Sequence, residues 1–265
     1  MANRFWVLNG GNWSDTAHWS VSTGGTGGAS LPTSADNVYF NANSFSSAGQ
    51  TVTVDATAVC LNMDWTGALY TPTLAGASNI RAHGNITFIS GMILTHTGQL
   101  SIYGTCNFTT NGKTITSSIG FGNISGNLVL QDNLTSTSAT GLIVNTGTLN
   151  TNGKTVNIIY FNANYTTAKT IIFGNSSIQC SSNFTINATG TTFDAGTSTI
   201  IMTGATKTFS GGGLTYNNVE FQGTPTTITG SNTFNDLKFT AGKTVNFTTG
   251  TTQTITTLSG VTLSR

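Results

Sequence analysis

Hydrophobic and polar residues alternate in short stretches along most of the chain. Typical stretches lie at residues 100–103, 127–130, 170–173 and 244–247. Glycine, asparagine and serine, which favour turns, are frequent between them. An alternation of period two predicts β-strands, whereas the 3.6-residue spacing of a helix nowhere extends beyond a turn or two. We therefore predict an all-β protein built from short strands.

A repeat sets the expected arrangement of these strands. Residues 110–115 (TNGKTI) recur as residues 151–156 (TNGKTV), an offset of 41 residues. Weaker echoes follow at 205–209 and 241–245. The offset corresponds to two turns of roughly 20 residues each, a length that suits a single-stranded parallel β-helix, or β-solenoid. The Asn-Gly pairs of the repeat are also typical of tight hairpins, so a stack of β-hairpins is the alternative.

A solenoid of this kind points alternate side chains into a narrow core. We expect Ile102, Val129, Ile172 and Phe247 to point inward, with threonines beside them pointing outward. The cysteines are odd in number and far apart, which disfavours a disulfide framework. We predict that they are small buried side chains: Cys60, Cys106 and Cys180.

The composition limits the partners that the protein can have. Only 6% of the residues are charged, against about 25% in typical proteins. The formal net charge is +1, with no basic patch, so binding to nucleic acid is not expected. No apolar run reaches the roughly 18 residues of a membrane span, and none near the N-terminus suits a signal peptide. We expect a protein made in the cytoplasm, without membrane insertion.

The N-terminal block differs from the rest in its tryptophans. Residues 1–45 contain Trp6, Trp13 and Trp19. We predict that this block is an N-terminal aromatic cap or attachment segment, and that residues 46–265 form the rod. Two roles are open for the three tryptophans. They could cover the first coil, or they could form a docking or sugar-binding surface.

Candidate catalytic residues are few. Glycosidases need two carboxylates about 5–9.5 Å apart. Asp55 with Asp64, or Glu220 with Asp236, could share a coil edge. The alternative is that all of them are solvent-facing turn residues. The histidines show no metal-ligand spacing (His18, His83 and His96). We predict no catalytic residues, no metal site and no cofactor.

The Gly-Lys-Thr triplets do not form phosphate-binding loops. A P-loop needs a glycine five residues before the glycine of the triplet. Those positions hold Asn107, Thr148 and Leu237. The triplets also repeat, whereas a nucleotide site occurs once. We expect Lys113 and Lys154 to align along one edge of the rod.

Two parts of the chain carry a resemblance. Residues 9–20 (NGGNWSDTAHWS) and 32–40 (PTSADNVYF) resemble an N-terminal block of repetitive β-rich proteins of bacteriophages and bacterial surfaces. Residues 232–245 are similar to coil sequences of the same group. The resemblance implies a β-solenoid in a virion fibre, tail or appendage, or in a surface adhesin.

The sequence thus predicts a non-catalytic structural or receptor-binding solenoid of a phage particle. The missing signal peptide favours the virion over the bacterial surface. The expected partners are other virion proteins, and a host-surface protein or glycan. A single chain and a homo-oligomer are both compatible with a rod. The alternatives are a polysaccharide-degrading tailspike enzyme and a bacterial surface adhesin.

Overall fold

The protein is a parallel β-solenoid. The structure is a computed structural model that describes residues 2–224, 226–240 and 242–260. It forms two compact units, Met1–Ser138 (unit 1) and Ala139–Arg265 (unit 2). Apart from one 3₁₀ turn at Thr16–His18, the described residues contain strands, turns and loops only. The predicted all-β parallel β-solenoid is confirmed.

Unit 1 runs repeatedly through the same sheets. Its strands are β1 (Asn3–Trp6), β2 (Gly11–Asn12), β3 (Trp19–Ser20), β4 (Asn37–Tyr39), β5 (Thr51–Val54), β6 (Ala58–Cys60), β7 (Met63–Asp64), β8 (Thr73–Gly76), β9 (Ile80–Ala82), β10 (Ile86–Thr87), β11 (Ile93–Leu94), β12 (Leu100–Ile102), β13 (Thr105–Thr109), β14 (Thr114–Ile115), β15 (Ile119–Phe121), β16 (Asn127–Leu130) and β17 (Leu134–Ser136). Sheet 1A has the order β3-β1-β4-β7-β10-β13-β16, sheet 1B the order β2-β5-β8-β11, and sheet 1C the order β6-β9-β12-β15. Strands β14 and β17 pair with each other.

Unit 2 is built in the same way. Its strands are β18 (Leu142–Ile143), β19 (Gly147–Asn150), β20 (Thr155–Ile158), β21 (Phe161–Ala163), β22 (Lys169–Ile172), β23 (Ser177–Cys180), β24 (Phe184–Ile186), β25 (Thr191–Asp194), β26 (Thr199–Met202), β27 (Lys207–Ser210), β28 (Thr215–Phe221), β29 (Thr226–Thr229), β30 (Thr233–Phe239), β31 (Val245–Phe247) and β32 (Thr254–Ser259). Sheet 2A has the order β19-β22-β25, sheet 2B the order β18-β21-β24-β27-β29-β31, and sheet 2C the order β20-β23-β26-β28-β30-β32.

The coil length follows from the strand register. Cys106 pairs with Leu128, and Ile178 pairs with Ile200, 22 residues later in each case. The next coil of unit 2 is shorter, because Ile200 pairs with Val219. The predicted length of roughly 20 residues is therefore correct on average, and the coils vary around it.

Buried side chains stack into columns, because parallel pairing turns the same face of every strand toward the core. One column of unit 2 consists of Val156, Ile178, Ile200, Val219 and Leu237. All five are buried. Each apolar side chain is thus covered above and below by its counterparts in neighbouring coils. This arrangement explains how strands of two to four residues can build a stable core.

The predicted side-chain orientations are only partly right. Ile102 is buried, as expected. Val129 and Ile172 are partly exposed, and the buried residues are their immediate neighbours (Leu128, Leu130, Ile171 and Phe173). Phe247 pairs with the buried Ile228 but is 48% exposed, since no described strand follows β31 in sheet 2B. A register error of one residue exchanges the inner and outer faces of a strand, which accounts for Val129 and Ile172.

The Asn-Gly pairs form corners of the solenoid. Asn111 and Gly112 have φ angles of 49° and 77°, and Asn152 and Gly153 have 52° and 71°. These left-handed conformations suit asparagine and glycine. Each pair connects strands of different sheets, β13 to β14 and β19 to β20. The alternative of stacked hairpins is therefore wrong.

The N-terminal strands belong to the first coils of unit 1. Strand β1 pairs in parallel with β4, and the short β3 runs antiparallel along the other side of β1. Strand β2 pairs with β5, so hydrogen bonds link the two sides of the predicted boundary at residue 45. The division into a cap at 1–45 and a rod at 46–265 stays a prediction.

Candidate functional site

The three N-terminal tryptophans lie inside unit 1. The exposed fractions of Trp6, Trp13 and Trp19 are 0%, 2% and 0%. The rings of Trp6 and Trp13 each meet that of Trp19 edge to face, at centroid distances of 5.0 and 4.8 Å. Phe40 contacts all three rings and stacks on Trp65 at 3.7 Å. In this arrangement the tryptophans present no ring face to solvent, while their role as cap or docking element stays a prediction.

The candidate carboxylates Asp55 and Asp64 lie at different sheets of unit 1 and have different partners. Asp55 follows β5 of sheet 1B, and its carboxylate accepts hydrogen bonds from the backbone N (3.0 Å) and Oγ (2.5 Å) of Ser14. Burial acts to raise the pKa of Asp55, but hydrogen bonds from Ser14 and from the backbone of Asp55 and Ala56 together outweigh it, and the pKa lies below its usual value. Asp64 lies in β7 of sheet 1A and accepts a hydrogen bond from the backbone N of Thr66 at 2.8 Å. Asp55 thus ties two segments of unit 1 together.

Glu220 and Asp236 lie on neighbouring strands, but each has its own partner. Glu220 stands opposite Lys238, and the two side chains form an ion pair at 3.2 Å. Asp236 stands opposite Asn218, and its Oδ1 accepts a weak hydrogen bond from Ser259 at 3.4 Å. The two carboxylates are therefore diagonal neighbours on one strand pair. Their contacts are those of side chains that support a sheet surface.

A ladder of asparagines runs along the outer face of sheet 1A. Asn37 donates to Asn3 Oδ1 at 3.1 Å, and Asn62 donates to Asn37 Oδ1 at 2.7 Å. The backbone N of Asn85 donates to Asn62 Oδ1 at 2.6 Å, and that of Asn107 donates to Asn85 Oδ1 at 2.9 Å. These side chains hold successive coils together and present uncharged amides to solvent.

An aromatic and acidic row runs beside this ladder. Phe5 and Tyr39 stack at a centroid distance of 5.1 Å, and the next position in register is Asp64. A shallow cleft of about 210 Å³ opens here, lined by Tyr39, Asn62, Met63, Asp64, Asn85 and Thr87. An aromatic face with a carboxylate and amides can stack on a polyhydroxylated ring and hydrogen-bond its hydroxyls. We call this surface the Tyr39 cleft.

Sheet 1C carries a second, partly exposed surface made by Arg81, His83 and Tyr103, which we call the Arg81 platform. The rings of His83 and Tyr103 stack at 5.0 Å, and the guanidinium of Arg81 lies 5.7 Å from the centre of the Tyr103 ring. A Cβ on Gly122 would come within 2.1 Å of that ring, so any larger residue there would have to displace the ring. Partial burial and the nearby Arg81 lower the pKa of His83.

A strained cleft lies near the start of unit 1. Its volume is about 430 Å³, and Leu8, Asn9, Phe45 and Tyr70 are among the residues that line it. Leu8 and Tyr70 are 63% and 49% exposed, and both have left-handed backbones, with φ angles of 63° and 65°. The adjacent Thr71 also has a positive φ, of 48°, which is unusual for a β-branched residue. Such strain persists only where the surroundings impose it.

Groups that could perform covalent or metal chemistry are buried or dispersed. The three cysteines are free and buried, as predicted, and burial raises the pKa of Cys60 to about 12. His96 is fully buried, with Nε2 at 2.8 Å from the carbonyl of Ser78 and Nδ1 at 2.7 Å from Oγ of Ser117. Within the described ranges, no group of three His, Cys, Asp or Glu side chains could hold a metal ion.

The lysines of the repeat belong to different units. Lys113 lies in unit 1, where its Nζ donates to the carbonyl of Met92 at 2.8 Å, and Lys154 lies in unit 2. Their alignment along one edge stays a prediction. In the part of the chain that the structure describes, no helix is long and apolar enough to cross a membrane.

Comparisons with protein-family models, with curated proteins and with solved structures find no match to this chain.

The Tyr39 cleft and the Arg81 platform were not predicted from the sequence. Their members become neighbours only through the coil register.

Proposed function

We propose that the protein is a non-catalytic structural or receptor-binding element of a phage particle. The receptor-binding role in this proposal is supported by the outer face of sheet 1A, where the asparagine ladder runs beside the Tyr39 cleft. With 6% charged residues, affinity would come from stacking and neutral hydrogen bonds along a repetitive surface. Many weak contacts of this kind add up when a ligand repeats as well, as a host glycan does.

The phage setting rests on the resemblance of residues 9–20, 32–40 and 232–245 to repetitive phage and surface proteins. Antibodies raised against this chain can test it by gold labelling of purified particles in negative stain. Labelling of a tail, fibre or other appendage supports the virion assignment. Labelling of the bacterial envelope instead of particles supports the adhesin.

Glycan binding is tested with the Tyr39 cleft. We expect Tyr39→Ala to weaken binding of neutral oligosaccharides, since one aromatic face is lost. Thr109→Ala is the matched control, because Thr109 lies further along the same outer row of sheet 1A. Equal binding by both variants would show that this cleft is not the receptor site.

The enzyme alternative predicts release of reducing sugar from a host polysaccharide. We expect no release, because Glu220 and Asp236 are engaged by Lys238 and Ser259. Activity that disappears in Glu220→Gln or Asp236→Asn would show that the protein is a polysaccharide-degrading enzyme.

A further inference from the structure

Sheet 2A ends in the middle of unit 2. Between β24 and β26 the chain forms β25, the last strand of this sheet. In the next coil it passes from β27 to β28 through residues 211–214, which include three consecutive glycines and no strand. Strand β25 therefore pairs with β22 on one side, and no strand of the described residues pairs with its other side.

The backbone of Phe193 points toward this free side. The N–H groups of Lys169 and Phe173 donate to the carbonyls of Gly190 and Asp194, at 2.8 and 2.9 Å. In a strand the N–H and C=O of one residue point to the same side, and successive residues alternate, so both groups of Phe193 point away from β22. Neither its N–H nor its carbonyl has a hydrogen-bond partner among the residues that the structure describes. The edge thus offers one donor and one acceptor in sheet geometry.

The side chain of Phe193 ends a core column. Leu149, Ile171 and Phe193 stand above one another in sheet 2A, and Phe193 is only partly buried. Its ring contacts Phe173 at 5.4 Å and Tyr216 at 5.1 Å. An apolar side chain placed next in the column would cover the exposed part of this ring.

Open space borders the edge on both ends of β25. A cleft of about 510 Å³ lies at the C-terminal end, lined by Phe193, Asp194, Ala195, Gly196, Thr215, Tyr216, Asn217 and Asn235. A second cleft of about 390 Å³ borders the turn at residues 187–189, just before β25. The amides of Asn217 and Asn235, 3.4 Å apart, form a neutral rim that can hydrogen-bond a peptide backbone.

We propose that the free edge of β25 binds an extended peptide segment of a partner protein, which adds to sheet 2A as a parallel strand. Its backbone pairs with Phe193, and one apolar side chain packs on the Phe193 ring. A basic side chain beside Asp194 matches the carboxylate in this cleft. A polypeptide fits better than a sugar, because only a strand completes the unpaired backbone groups and the column together. This site is independent of the Tyr39 cleft and of the phage assignment.

A labelled synthetic peptide tests the proposal on the full chain. The probe has the sequence of residues 167–176 (TAKTIIFGNS), which contains β22, the strand that already packs against β25. Fluorescence anisotropy should show saturable binding. Methylating the peptide nitrogens that face β25 should weaken binding about tenfold, since backbone hydrogen bonds are lost. Methylating the nitrogens on the opposite side should leave it unchanged.

Variants of the chain locate the site. Phe193→Ala should weaken binding at least about fivefold, whereas Phe247→Ala, at an exposed phenylalanine of sheet 2B, should not. Asn235→Trp gives a second test that leaves the core intact, because Asn235 is exposed and a large ring there fills the cleft. Absence of saturable binding overturns the proposal. It is also overturned if both methylated peptides bind alike, or if neither Phe193→Ala nor Asn235→Trp affects the probe.

Discussion

Two adjacent isoleucines offer a direct test of the core register. Ile171 is fully buried in sheet 2A, between Leu149 and Phe193 of the neighbouring coils. Ile172 follows it on the same strand and is partly exposed on the outer face. Truncating each to alanine removes the same atoms from the same strand. Any loss of intrinsic β-propensity is therefore the same in both variants, and the difference between their free energies of unfolding reports burial alone.

The expected difference is large. Removing a buried isoleucine side chain costs about 2–5 kcal/mol, from lost transfer energy and the cavity that remains. Since Ile171 is covered on both sides by its column, we expect Ile171→Ala to lower the free energy of unfolding by about 3 kcal/mol. For Ile172→Ala we expect about 1 kcal/mol or less, as for a surface substitution.

Urea unfolding followed by far-UV circular dichroism measures both variants. The tryptophans are unsuitable as reporters, because Trp6, Trp13, Trp19 and Trp65 all lie in unit 1. The Ile171→Ala midpoint should fall well below that of Ile172→Ala at an unchanged slope. Equal midpoints, or a larger loss for Ile172→Ala, would refute the column arrangement.

Three further predictions concern pH, packing and thiol reactivity. Burial lowers the pKa of His96, so the folded state favours the neutral ring, and stability should fall as pH drops below about 6.5. In His96→Gln the urea midpoints at pH 7.5 and 5.5 should converge. An undiminished pH effect in this variant would exclude His96 as its source. Gly122→Ala should lower the free energy of unfolding, measured by thermal unfolding, by about 1–3 kcal/mol, because the added Cβ meets the ring of Tyr103. Gly91→Ala is the control, because a Cβ there has no atom nearby, and equal effects of the two variants would contradict the close approach. The buried thiol of Cys60, with its pKa raised to about 12, should react with a thiol reagent only after denaturation, and rapid labelling of the native protein would show that it is accessible.

The sequence predicts the fold class better than the side-chain register. The Asn-Gly repeat and the alternating strands indicate a solenoid, and the corners at Asn111 and Asn152 follow from asparagine and glycine tolerating positive φ. The register is ambiguous in residues 127–130 and 170–173, which carry apolar side chains at both parities. Only pairing with the next coil decides which of them points inward.

The candidate surfaces could not be predicted from the sequence for a related reason. The members of the asparagine ladder are Asn3, Asn37, Asn62, Asn85 and Asn107, spaced by 34, 25, 23 and 22 residues. No fixed period connects them, because loops between strands differ in length while the strands stay in register. The candidate carboxylates show the same effect of register. Asp55 and Asp64 are close in sequence, but Asp55 follows β5 of sheet 1B and Asp64 lies in β7 of sheet 1A. Glu220 and Asp236 are further apart in sequence, yet strand pairing makes them diagonal neighbours.

Irregular coils are where this fold can gain binding capacity. In a regular coil, each strand has its backbone groups paired with the coils on both sides, and each inward side chain is covered by its column. Nothing is left for a partner except the outer side chains. Where the glycines at 211–213 let the chain bypass sheet 2A, both conditions fail together at Phe193. Its backbone groups have no strand beside them, and its ring, although in contact with Tyr216, stays partly exposed. One missing strand thus leaves unpaired backbone groups and a partly exposed apolar ring at the same place. A single extended peptide can therefore pair with the backbone and cover the ring.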